Sequence, residues 1–79
     1  MEIHPTAYNH GLGEADIRHV QAHPLVDVYL EPDADPPTIL YIGPDTAGNI
    51  REVITLELAD GELAIHAMKL RPRFEGLLP

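Results

Sequence analysis

Apolar residues recur along this chain with two different spacings, and the change of spacing divides it. Between Gly13 and Pro24, Ile17 and Val20 lie three apart and Leu12 precedes them by about a turn and a half, while Glu14 and Asp16 fall where a first helical turn favours negative charge. This predicts a short helix that Pro24 stops, since proline lacks the N–H and disfavours helical geometry at the residue before it. From Leu25 the period becomes two. Val26, Val28 and Leu30 alternate with Asp27 and Tyr29, Thr38–Ile42 is rich in β-branched and aromatic residues, and Ile50–Leu58 and Glu62–Leu70 are two longer strand-like runs.

The connections are marked by turn residues. Glu31–Pro37 (EPDADPP) holds three prolines and three acids and reads as a loop; Asp45–Asn49 suits a short hairpin; Asp60-Gly61 is a strong two-residue hairpin signal. With Asp60 and Gly61 as the loop, Leu58 faces Leu63, Leu56 faces Ile65 and Ile54 faces Ala67 on one side of the ladder. That side is the expected core beneath the helix. The other side then pairs Thr55 with His66, Val53 with Met68 and Arg51 with Leu70, leaving Val53, Met68 and Leu70 partly bare. The expected fold class is α+β: a short N-terminal helix packed on a four-stranded antiparallel β-meander, with a short C-terminal tail.

Seventy-nine residues make one domain, 1–79, with 44% apolar and 23% charged residues, ordinary values for a folded protein. The chain contains neither cysteine nor serine, which excludes disulfides, thiolate metal sites and both of the commonest nucleophiles. No apolar run approaches the ~20 residues of a membrane span, and the N-terminus lacks the basic and apolar segments of a signal peptide, so the expected location is cytoplasmic, away from membranes. The net charge of −8 repels nucleic acid, so RNA binding requires a local concentration of cations. Lys69, Arg71 and Arg73 supply one, against acids crowded at Asp27, Glu31, Asp33 and Asp35.

His66, on the strand leading into that basic corner, is the most informative single residue. Imidazole beside cations can act as acid or base, and guanidinium groups hold phosphate in a bidentate manner. His66, Lys69 and Arg71 are therefore the candidate catalytic residues; Arg51, Arg73 and His10 are candidate substrate-binding groups. The plainer reading makes His66 a half-buried strand residue bonded to Thr55, and the basic corner a solvated chain end. His19 and His23 share a helical face, but Val20 stands where a metalloprotease motif has glutamate and no carboxylate is fixed as a further ligand, so neither metal nor cofactor is expected.

The order of features resembles the BrnT-like branch of the RelE/ParE superfamily, toxins of bacterial type II toxin–antitoxin pairs. The likeness runs over residues 9 to 75: His10-Gly11-Leu12 opening a helix, an acidic connector, a strand ending Ile42-Gly43, a glycine-bearing turn, and a hairpin whose last strand reads Ile65-His66-Ala67-Met68-Lys69. It implies a RelE-like helix-plus-sheet domain cleaving RNA without metal and silenced by an antitoxin. Met68-Lys69 matches the family's Met-Arg step; Asn9 stands where the family has lysine, and Thr55–Leu58 lacks the base of its preceding strand. Three readings follow: a BrnT-like endoribonuclease; a catalytically inactive RelE-like protein-binding or dimerisation module, with an antitoxin or a second copy as partner; or an unrelated small cytoplasmic domain.

Overall fold

A computed structural model describes all residues, 1–79. Its elements run β1 (Glu2–Ile3), a 3₁₀ turn (Pro5–Tyr8), α1 (Glu14–Ala22), β2 (Val26–Glu31), β3 (Thr38–Pro44), β4 (Ile50–Leu58), β5 (Gly61–Lys69) and α2 (Pro72–Glu75). The α+β class holds, but the sheet has five strands in the order β1-β5-β4-β3-β2, not four in a meander. The meander β2 to β5 is antiparallel; the added β1 runs parallel to β5, pairing Glu2 with Leu63 and Ile3 with Ala64. Two residues are too few to carry a periodic signal, so this strand is invisible in the sequence. The expected tail is also structured: Pro72 pre-sets the first turn of α2, and Phe74 is buried. No helix is long and apolar enough to cross a membrane.

The β4–β5 register corrects the expected one. The tight turn is Ala59-Asp60, with Leu58 opposite Gly61 and Leu56 opposite Leu63. Asp60 keeps negative φ, and the one positive φ in this turn, +139°, falls to Gly61. The turn thus avoids the left-handed aspartate that an Asp-Gly loop would have required. A bulge at Ile65 follows, after which Ile54 faces His66, Val53 faces Ala67 and Glu52 faces Met68. One extra residue exchanges the faces of everything beyond it. His66 consequently leaves Thr55 and joins the side of Ile54 and Glu52.

The helix accordingly lies on the face opposite to the expected one. Ile17, Val20 and Leu12 pack on Ile39, Tyr41, Val53, Ala64 and Ala67, and Val53 is wholly buried, not partly bare. Gly43 permits the close approach: a Cβ there would stand 2.9 Å from the His23 carbonyl oxygen and 3.2 Å from Pro24 Cα. Asp16 ties the first turn of α1 to the β3–β4 connection, accepting from Thr46 N (3.0 Å) and Thr46 Oγ1 (2.6 Å).

The second face forms its own smaller core. Val26, Leu40, Ile42 and Phe74 are buried, flanked by half-buried Leu30, Ile50, Ile54, Leu70 and Leu78. On this face the strand alternation continues through Val28, Leu56, Leu58, Leu63 and Met68, with Thr38, Glu52 and His66 as its polar members. Phe74 and Leu78 of the C-terminal segment pack into the cluster of Val26, Leu40 and Ile42, while Val28 and Leu58 on the same face stay exposed.

Candidate functional site

Glu52 is the one charged side chain in the centre of the sheet with no exposure at all. It lies between Ile50 and Ile54 on the second face, where a carboxylate must find partners or protonate. Arg71 provides most of them. Its backbone N donates to Oε1 (2.8 Å), and its Nε and Nη2 donate to Oε2 (2.9 and 2.6 Å). His66 Nε2 lies 2.9 Å from the same Oε2. Because the carboxylate can only accept, Nε2 is the protonated nitrogen. The 3.4 Å approach of Arg71 Nη2 to His66 Nε2 then sets two donors side by side around one oxygen. The His10 ring meets that of His66 edge-on, with centroids 5.5 Å apart.

Opposing effects act on this carboxyl. Burial pushes its pKa up, while the Arg71 and His66 hydrogen bonds pull it down and prevail, so Glu52 sits below the usual carboxylate range. Arg71 is raised in return, chiefly by its bonds to Glu52. The result is a closed ion pair in which the position a phosphate would occupy between Arg71 and His66 is already filled by an anion.

The sequence-derived candidates are thus only partly brought together. His66, Arg71 and His10 converge. Lys69 pairs with Arg51 on the α1 side of the sheet: strand alternation puts residues 67 and 69 on the face opposite 66 and 68, and the bulge at Ile65 aligns them with Val53 and Arg51. Arg51 donates through Nε to Asp45 Oδ2 (2.9 Å), and Asp45 also accepts from the backbone N–H groups of Ala47 and Asn49 (both 2.9 Å). These bonds, Arg51 first, lower the Asp45 pKa to about 2. Arg73 stands over the ring of Phe74, its Cζ 4.7 Å from the centroid, and remains exposed.

His19 and His23 have structural roles. Their rings stack at 4.4 Å, His19 Nδ1 donates to the Pro44 carbonyl (2.7 Å), and His23 Nδ1 lies 3.2 Å from the His19 carbonyl. Three His, Cys, Asp or Glu side chains come together nowhere in metal-binding geometry. A second polar network stands on the α1 face: Tyr41 Oη and Thr55 Oγ1 both donate to Glu62 Oε1 (2.5 and 2.7 Å), with burial and this bond raising Tyr41 far above its ordinary value.

Sequence reasoning missed Glu52, although a signal was present. Within Ile50–Leu58, its neighbours two positions away on the same face are both isoleucines, a setting in which an acid is either out of place or partnered. The other feature with functional content is the second face beyond α2. Val28 and Leu58 are each 41% exposed there, around half-buried Leu30, Leu56 and Leu63. No protein-family profile, curated protein or solved structure matches this chain.

Proposed function

We propose that this chain is a small protein-binding module that works through the open part of its second sheet face. The carrying observation is that patch of strand-borne aliphatic side chains on a rigid sheet, which a stand-alone domain would normally cover. Covering a large aliphatic side chain fully is worth about 1.5–3 kcal/mol, so completing the burial of several half-covered ones supplies a useful binding energy. Its side chains stand on strands already hydrogen-bonded in the sheet, which limits the backbone ordering that association would cost.

Within the RelE-like resemblance this is the non-catalytic alternative. Ribonuclease action would require Arg71 and His66 to leave Glu52 and expose a buried carboxylate next to the incoming phosphate, and Lys69 to act from the other side of the sheet. The acidic surface adds to that cost.

Two measurements test the reading. Incubated with total RNA, the purified protein should leave it intact; cleavage that His66→Ala abolishes would overturn the binding-module proposal in favour of the ribonuclease. Nile red, a neutral probe that the −8 charge does not repel, should bind the dilute native protein. A Val28→Thr/Leu58→Thr variant should retain its circular dichroism and lose most of the probe fluorescence. Equal fluorescence from variant and wild type would remove the face from consideration.

A further inference from the structure

We infer that the partner covering this face is a second copy of the same chain, stacked sheet against sheet with the strands reversed. The inference rests on the binding role proposed for the face and adds the identity and orientation of the occupant. Two independent properties of the molecule select the same arrangement.

The first is charge. The end of the sheet formed by the β2–β3 connection and the β4–β5 turn carries Glu31, Asp33, Asp35 and Asp60, and neither connection contains a lysine or arginine; Glu57 and Glu62, at the same end, project to the α1 side. At the opposite end the second-face layer carries Arg71 and Arg73, with Glu75 as its one acid in α2, while Arg51 and Lys69 lie on the α1 side. Two copies related by a two-fold axis can put the same face together in two ways. An axis along the strands lays acids on acids, a juxtaposition that is unfavourable at an interface. An axis across the strands lays each acidic end over the partner's α2, where Arg73 is exposed and already part of the second-face layer.

The second is shape. The segment from Pro72 to Leu78 stands proud of the face at one end, and the open apolar part forms a lower step at the other. Stacking in the same direction opposes the two raised segments and leaves a void between the open halves. Reversed stacking seats each raised segment in the partner's open half, with Leu77, 49% exposed just beyond α2, as an apolar contact.

Light scattering across a dilution series should give twice the 8.7 kDa chain mass at high concentration and the single mass on dilution. Val28→Thr/Leu58→Thr should stay monomeric throughout with unchanged circular dichroism. Orientation is read by cross-linking, which the absence of cysteine makes clean. Asp60→Cys and Gly76→Cys both suit the purpose, since the turn is exposed and nothing lies within 4 Å of a Cβ at Gly76. A short bis-maleimide should join the two variants when mixed and neither to itself; Asp60→Cys joined to its own kind would overturn the reversed stacking. A monomer at every concentration that still binds Nile red through Val28 and Leu58 would overturn the second-copy inference and leave the binding role standing. A monomer that binds no probe would remove both.

Discussion

Replacing Glu52 by glutamine changes one oxygen to an amide nitrogen at the most heavily bonded point of the sheet. If the amide oxygen takes the Oε2 position, it keeps the Arg71 guanidinium and His66 as donors but loses the charge that strengthened those bonds. The amide nitrogen then faces the Arg71 backbone N–H, donor against donor, where Oε1 had accepted at 2.8 Å. Leaving such a donor unmet costs about 1–3 kcal/mol, and weakening the charged bonds adds to it. Removing one member of a fully buried pair costs about 3–5 kcal/mol. Arg71 is 34% exposed, so water recovers part of this and about 2–3 kcal/mol is the expected loss. A chain of this length has a total stability of about 4–12 kcal/mol, so the loss is a large fraction of it.

Urea unfolding followed by far-ultraviolet circular dichroism is the assay. With a slope of about 1 kcal/mol per molar for so small a protein, the midpoint should fall by about 2–3 M. Arg71→Gln should cost a similar amount, and the double variant clearly less than the two together, because both remove the same contacts. The pH dependence has a definite sign. Glu52 is held below its ordinary value when folded, so its contribution is complete above the unfolded pKa of about 4.3 and disappears as pH falls through the lower folded value. The wild-type and Gln curves should therefore converge in acid. A midpoint within about 0.5 kcal/mol of wild type at neutral pH, the range of ordinary surface substitutions, would refute the buried ion pair.

Gly43→Ala forces a methyl against the His23 and Pro24 backbone and should lower stability by about 1–3 kcal/mol in thermal or urea unfolding. Ile17→Ala opens the α1 core at a fully buried position and should cost about 2–5 kcal/mol, whereas Leu58→Ala, 41% exposed, should cost much less in the monomer. Asp45→Asn should lower the thermal midpoint at neutral pH. It should also flatten the acid profile between about pH 4, the unfolded value, and the folded value of about 2, below which the native carboxylate no longer helps.

Local chemistry made most elements legible. Pro24 and the Ile17/Val20 spacing placed α1 to within two residues, and alternation put Val26, Val28 and Leu30 on one face of β2. What failed was everything that depends on counting across a gap. Ile65 looks like any strand residue, yet the bulge there decides that His66 shares a face with Glu52 while Lys69 does not. His66 and Lys69, three apart on β5, stand on opposite faces by alternation alone, and the bulge decides which face of β4 each of them meets.

The sequence alone determined the α+β class, the positions of α1 and of β2 to β5, the acidic balance and the absence of thiol and serine chemistry, because each is a property of composition or of short-range spacing. Which face the helix covers, the buried Glu52–Arg71 pair and the open apolar step beyond α2 were decided only in three dimensions. They depend on backbone hydrogen bonds between residues far apart in the chain, where a shift of one residue turns every later side chain to the other side.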